Sequence, residues 1–193
     1  MTILAWNVRG LGNSDTIRAL RNSVPKFQPN IVFLSETKRY LEKIRMKMKF
    51  SHCYYEEPHG LAGGLSLWWS NDTLVTILRS GRHFIDARVS VNGEMEWFGS
   101  FIYGPPYREE KQHFWEMMAK LRSGSEDCWL VIGDSNVVAS QKEKLGGAHF
   151  NPNEAKAYHM GLLDLPISGG TFTWSNHRSD EEAILEKLDR ALC

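Results

Sequence analysis

The sequence predicts a mixed α/β fold, two mixed sheets packed together with helices outside. Three observations carry this. Residues 3–36 read as strand, helix, strand, which is a βαβ unit with parallel strands. Residues 65–103 read as a run of hairpin-forming strands. From Phe114 onward the pattern returns to helix, strand, helix and short late strands.

The elements follow in order. Ile3-Leu4-Ala5-Trp6 is an apolar run broken at Asn7, as expected of a buried strand entering the loop Arg9-Gly10-Leu11-Gly12-Asn13. Ser14 or Asp15 can cap a helix whose apolar positions are Ile17, Leu20 and Val24, and Pro25 is expected to end it. Ile31-Val32-Phe33-Leu34 is a second buried strand that stops at Ser35-Glu36. Leu41, Ile44 and Met48 suggest a second, more basic helix. Leu65 to Trp69, Leu74 to Leu78 and Phe84 to Val91 read as strands, and Asn92-Gly93 is the strongest hairpin signal because both residues tolerate positive φ. Trp97 to Tyr103 is the next strand, closed by Gly104-Pro105-Pro106. Phe114, Met117, Met118 and Leu121 mark an amphipathic helix. Trp129 to Ile132 is a buried strand ending at Gly133-Asp134-Ser135-Asn136. A helix over Glu154 to Leu163 with Asn153 as its cap follows, then strands at Thr171 to Trp174 and Ile184 to Leu188.

The chain has 193 residues, 42% apolar and 24% charged, which fits one globular domain over residues 1–193 and excludes disorder as the main state. No stretch approaches ~18 consecutive apolar residues, and no secretion signal opens the chain, so no membrane partner and an intracellular location are expected. Lys plus Arg is 23 and Asp plus Glu is 23, so a nucleic acid would be held by local patches, not by a global field. That excludes a histone-like protein and leaves a compact nuclease open. Cys53, Cys128 and Cys193 match no zinc spacing and read as reduced thiols.

Asn7, Glu36, Tyr103, Asp134 and Asn136 all stand at the ends of buried strands, with Asp189 later in the chain. Strand ends are where α/β folds place their chemistry. Each residue alone has an ordinary reading: Asn7 as a turn former, Glu36 as a helix cap, Asp134-Ser135-Asn136 as an Asx turn, Tyr103 as an edge aromatic, Asp189 as a partner of Arg190. Together they suit another task. A carboxylate such as Glu36 with a nearby Asn or Asp suits a hard cation such as Mg²⁺. Phosphodiester cleavage needs such a cation, and an acceptor such as Asp134 to orient the attacking water. Asn7, Asn136 and Tyr103 can donate to phosphate oxygens without adding negative charge.

Six motifs in order carry a resemblance: Trp6-Asn7-Val8-Arg9-Gly10, Ser35-Glu36-Thr37, Tyr103-Gly104-Pro105, Gly133-Asp134-Ser135-Asn136, Gly170 through Asn176, and Leu188-Asp189-Arg190-Ala191-Leu192. Over residues 1–193 the chain resembles the endonuclease domain of plant LINE-type (non-LTR) retrotransposons, in the DNase I-like endonuclease/exonuclease/phosphatase superfamily. The resemblance implies a four-layer α/β sandwich and Mg²⁺-dependent nicking of DNA that leaves a 3′-hydroxyl, with Mn²⁺ as an alternative ion. It implies DNA as a weak or transient partner and a nuclear location. Carried over by motif, Glu36 looks like the metal ligand and Asn7 its companion at metal and phosphate. Tyr103 looks like a phosphate contact, Asp134 like the residue that orients or deprotonates water, and Asn136 like its phosphate-binding partner. Thr173 and Asp189 match the family's late Thr and Asp. Arg9 is a candidate substrate contact, and Lys38, Arg39 and Lys43 beside it can contact phosphate or simply form a solvated face.

The chain departs from the family pattern in three places. Ser135 replaces the usual aromatic or apolar residue between Asp and Asn, which predicts a modest cost because a buried polar group needs a partner. Val137 stands where plant members often carry Glu. The family's terminal Ser-Asp-His motif has no counterpart among the seven histidines, so the domain is expected to be incomplete at its C-terminus, without its last strand and with impaired activity. A catalytically degenerate fold with at most weak metal or DNA binding is the alternative, and a small-phosphoester phosphatase a third.

Overall fold

The computed structural model describes all residues except 12–13, 39–41, 59–62, 94–95, 123–126 and 159–160. The chain forms two compact units, one of Met1–Tyr103 with Cys128–Gly133, the other of Gly104–Asp127 with Asp134–Cys193.

The first unit holds β1 (Ile3–Asn7), α1 (Ser14–Phe27), β2 (Ile31–Ser35), α2 (Glu42–Lys47), β3 (His52–Glu56), β4 (Leu65–Trp69), β5 (Thr73–Gly81), β6 (Phe84–Val91) and β7 (Trp97–Tyr103), with β8 (Trp129–Asp134) running up to its boundary. One mixed sheet has the order β1-β2-β4-β3, with β1 parallel to β2 and the other neighbours antiparallel. Strands β8, β7, β6 and β5 are successive neighbours in a second sheet. The two sheets meet over an apolar core that includes Phe33, Leu67, Ile85 and Phe101. Helices α1 and α2 cover the other face of the first sheet, around Leu20, Leu34, Phe50 and Trp68. This is the mixed α/β architecture, two packed sheets with helices outside, that the sequence predicts.

Three local readings change in this unit. Pro25 lies inside α1 and does not end it, because its fixed φ is helical and it gives up one bond within the last turn. The strand β3 (His-Cys-Tyr-Tyr-Glu) has no expected counterpart in the sequence reading. Strand β5 is longer than its apolar core and turns through Arg82 and His83 into β6, with Gly81 paired to Phe84. Its register slips between Ile77 and Arg79, leaving Leu78 unmatched as a bulge. At the other end of β6, Asn92 and Gly93 take φ of 53° and 72°, as the hairpin signal requires. Gly12, Asn13, Arg39 and Leu41, named in the sequence reading, lie outside the described residues.

The second unit holds α3 (Arg108–Leu121), β9 (Lys144–Leu145), α4 (Pro152–Tyr158), β10 (Trp174–Ser175), β11 (Leu185–Glu186) and β12 (Asp189–Leu192). Helix α3 buries Phe114, Trp115 and Met118, and the Trp115 ring meets Tyr158 of α4 edge-on at 4.9 Å. Helix α4 is shorter than expected and is capped by Asn151, whose Oδ1 accepts the Asn153 N–H at 3.0 Å. Pro152 occupies the first helical position, which moves Asn153 inside the helix. The late strands are shorter than, and shifted from, their apolar runs, and form a small sheet of order β10-β11-β9. Leu163 and Leu165 pair through their backbones with Cys193 and Ala191, so residues 163–165 are extended, not helical.

A buried charge cluster closes this unit. The Arg190 guanidinium, 1% exposed, meets Glu143 at 2.5 Å and Asp164 at 2.6 Å, and lies 5.3 Å from the centre of the Tyr158 ring. Lys187 joins Asp164 at 2.7 Å. Arg190 therefore pairs across this cluster, with Glu143 and Asp164.

Candidate functional site

The candidate residues fall into groups, each within its own unit. In the first unit, β1 and β2 run parallel in a register that pairs Asn7 with Ser35, so Asn7 and Glu36 emerge side by side at the carboxyl ends of the strands. The ladder continues past the strands: the N–H groups of Val8, Gly10 and Leu11 donate to the carbonyls of Ser35, Glu36 and Thr37, and those of Thr37 and Lys38 to Gly64 and Gly63. Within this frame the Asn7 Nδ2 donates to Glu36 Oε1 at 2.8 Å, and Asn7 Oδ1 accepts the Arg9 N–H at 3.1 Å. The backbone is left-handed at Arg9 (φ 47°), Glu36 (φ 54°) and Lys38 (φ 57°). Side chains other than glycine adopt that region at a cost of order 1–3 kcal/mol, and it gathers at functional sites.

All donors here are oxygens on hard groups, one carboxylate and one amide. Among the described residues no group of three or more His, Cys, Asp or Glu side chains gathers at any point. A Mg²⁺ ion fits such a set, since it binds through one or two carboxylates and keeps water and substrate phosphate for its other positions. Glu36 would hold it, with Asn7 beside it.

Tyr103 ends β7 in the same unit. Its N–H donates to the His83 carbonyl at 2.8 Å, and the His83 Nδ1–H donates back to the Tyr103 carbonyl at 2.9 Å. The two rings stack at 6.2 Å. The sequence reading did not find His83, because its pairing depends on a two-residue turn that no motif marks.

In the second unit, Asp134 is buried and its Oδ1 accepts the Asn136 N–H at 2.9 Å. Asn136, left-handed at φ 51°, donates from Nδ2 to the Gly104 carbonyl at 2.7 Å. The Gly104 N–H returns a bond to the Asp134 carbonyl at 2.7 Å. The Asx turn expected of an ordinary loop is present, and it also orients the Asp134 carboxylate. Ser135 is fully buried, and its hydroxyl donates to the Leu188 carbonyl at 2.6 Å. The modest cost expected for a polar residue in this slot is therefore met by a partner. Val137 fills a buried apolar position.

Thr173 and Asp189 also come together. Thr173 Oγ1 accepts the N–H groups of Leu188 and Asp189, each at 3.0 Å. Both lone pairs of that hydroxyl are thus engaged with backbone, which leaves it only a donor for any phosphate. No sequence signal separates this use of a threonine from substrate contact.

A family model described as the Endonuclease/Exonuclease/phosphatase family matches residues 4–183. No curated protein matches the sequence. Among solved structures, the 3′ phosphatase NExo from Neisseria, bound to a product DNA hairpin, is similar with a TM-score of 0.71 at 17% identity, over 100% of this chain and 86% of that one. The endonuclease domain of TRAS1, a telomere-specific non-LTR retrotransposon, gives 0.68 at 12% identity, over 99% and 84%. TDP2 from C. elegans gives 0.67 at 15% identity over 98% of this chain, which spans 63% of that protein. At these identities the likeness is one of fold.

Proposed function

The chain belongs to the endonuclease/exonuclease/phosphatase family, and from that premise we propose that residues 1–193 work as a single domain that cuts phosphodiester bonds in DNA with Mg²⁺, as a nicking endonuclease of the plant LINE-type, non-LTR retrotransposon kind. The observation that carries the reading is the Asn7–Glu36 pair, joined at 2.8 Å at two parallel strand ends, with Glu36 on left-handed backbone. Bound there, Mg²⁺ supplies charge to the scissile phosphate. Asn7 holds the Glu36 carboxylate in place and offers an amide to a phosphate oxygen. Asp134, its carboxylate fixed by the Asn136 N–H, orients a water and takes its proton. The P–O3′ bond breaks as the water oxygen bonds to phosphorus; the bond pair stays on O3′, which takes a proton from solvent to give the 3′-hydroxyl, and the other product is a 5′-phosphate. Tyr103 and Arg9 contact phosphate, and Asp189 acts on the leaving-group side. NExo, seen with a DNA product, supports DNA as the partner, and zero net charge supports a transient hold. The nucleus is the proposed location.

The test is nicking of supercoiled plasmid by the full chain. With Mg²⁺ the wild type relaxes the plasmid, a chelator stops it, and Glu36→Ala and Asp134→Ala each lower the rate about 10²–10³-fold. Equal nicking by the variants refutes the assignment. A folded wild type that does not cut supports the degenerate alternative.

A further inference from the structure

The Ser135 hydroxyl cannot reach a substrate. It is fully buried, yet it is hydrogen-bonded on both its donor and its acceptor side. Its Oγ–H donates to the Leu188 carbonyl at 2.6 Å, and its Oγ accepts the Val137 N–H at 3.3 Å. The Ser135 N–H donates to the same Leu188 carbonyl at 2.8 Å. On the other side of that peptide, the N–H groups of Leu188 and Asp189 both end on Thr173 Oγ1 at 3.0 Å. The Leu188–Asp189 step is therefore gripped twice, through its carbonyl by Ser135 and through its amides by Thr173. The residues on either side of Ser135 are Asp134 and Asn136. A main-chain bond alone would leave the Leu188 carbonyl free to pivot about a single donor, whereas two donors fix its direction.

We infer that Ser135 is a positioning residue: its hydroxyl latches the Asp134–Asn136 turn to the Leu188–Asp189 step and so fixes the carboxylates of Asp134 and Asp189 for the hydrolysis proposed above, on which this role rests. The latch is built from chain segments far apart in sequence, and it needs a hydroxyl, not bulk, at position 135.

Two measurements on the full chain test it: steady-state nicking with Mg²⁺, and amide hydrogen exchange, for wild type, Ser135→Ala and Ser135→Thr. Ser135→Ala keeps the backbone bond and folds. Its kcat falls about tenfold with KM within about twofold, since misplacement by a fraction of an ångström acts on the reacting geometry. Its exchange rises about tenfold or more at Val137, Leu188 and Asp189, and nowhere else in the unit. Ser135→Thr, which keeps the hydroxyl, restores protection at these three amides. Unchanged kcat in Ser135→Ala overturns the role, and so does a kcat loss that comes with loss of protection throughout the unit. If wild type does not nick, the hydrolysis and the role in it both fall, and the exchange data separately show whether the latch exists.

Discussion

Gly104→Ala is expected to damage the second unit more than its size suggests. A Cβ at position 104 would stand 2.1 Å from the Ser135 carbonyl oxygen and 2.7 Å from its carbon. Both are backbone atoms, so no side chain can rotate away, and the peptide must move by about 1 Å to reach van der Waals distance. Four bonds meet at that peptide or beside it: Gly104 N–H to Asp134, Asn136 Nδ2 to Gly104, and the two from Ser135 to Leu188. Losing two neutral bonds at about 1 kcal/mol each, with overpacking of about 1 kcal/mol or more, gives about 3 kcal/mol. Alanine returns about 0.4–1 kcal/mol by restricting the unfolded chain, which leaves a net loss of about 2–3 kcal/mol. Tm should fall by about 4–12 °C. Gly170→Ala is the control, because its Cβ meets only the Phe172 carbonyl oxygen at 3.9 Å. It should raise stability by about 0.4–1 kcal/mol. Urea unfolding followed by tryptophan fluorescence reads both. A Gly104→Ala protein as stable as wild type would show that the turn does not hold this geometry.

Two further outcomes follow from strain and charge. Glu36 has φ 54°, where a Cβ costs roughly 1–2 kcal/mol and glycine nothing. Glu36→Gly should therefore be more stable than Glu36→Ala by roughly 1 kcal/mol in the same unfolding assay, although both lose the Glu36 carboxylate and nick slowly. The reverse order would contradict the left-handed backbone. Burial pushes the Glu143 carboxyl up, but its hydrogen bond and charge pairing with Arg190 outweigh this and hold its pKa below the usual value. Its folded pKa lies below the unfolded one of about 4.3, so its contribution is complete above that pH and is lost as pH falls through the folded value. Unfolding free energies measured from pH 7 to pH 2 should decline below about pH 4.3. Glu143→Gln should lose that part of the slope and be less stable at pH 7 by roughly 3 kcal/mol, because Arg190 loses one of its two anions.

The strands that place Asn7 and Glu36 are legible in the sequence because Ile3–Trp6 and Ile31–Leu34 are uninterrupted apolar runs that stop at a polar residue. Strand β3 is not, because its exposed first residue His52 and terminal Glu56 hide a half-buried Cys-Tyr-Tyr. Strands β9, β10 and β11 are two residues each, too short for any periodicity. Asn151 and Asn153 are equal as caps by composition, and only Pro152 at the first helical position separates them. At the candidate site, residue types are visible in the sequence but conformations are not. Nothing about a glutamate announces φ 54°, and nothing about Thr173 shows that its oxygen is taken by two backbone amides. The same holds for Ser135, where an apparent defect in a motif has a bonded partner 53 residues further along the chain.

Strand β5 stands last in the order of its sheet, with Leu74 and Leu78 exposed at 66% and 43%. Nine extended residues with greasy side chains in the open are the kind of surface on which a neighbouring molecule can lay down another strand. The unmatched Leu78 breaks that template near its middle, since a bulge bends and twists the strand away from a flat partner. The residue that looks like surplus length therefore acts as a guard on solubility: shortening the hairpin by one residue would tidy the ladder and give crowded copies of the chain a straight edge on which to stack.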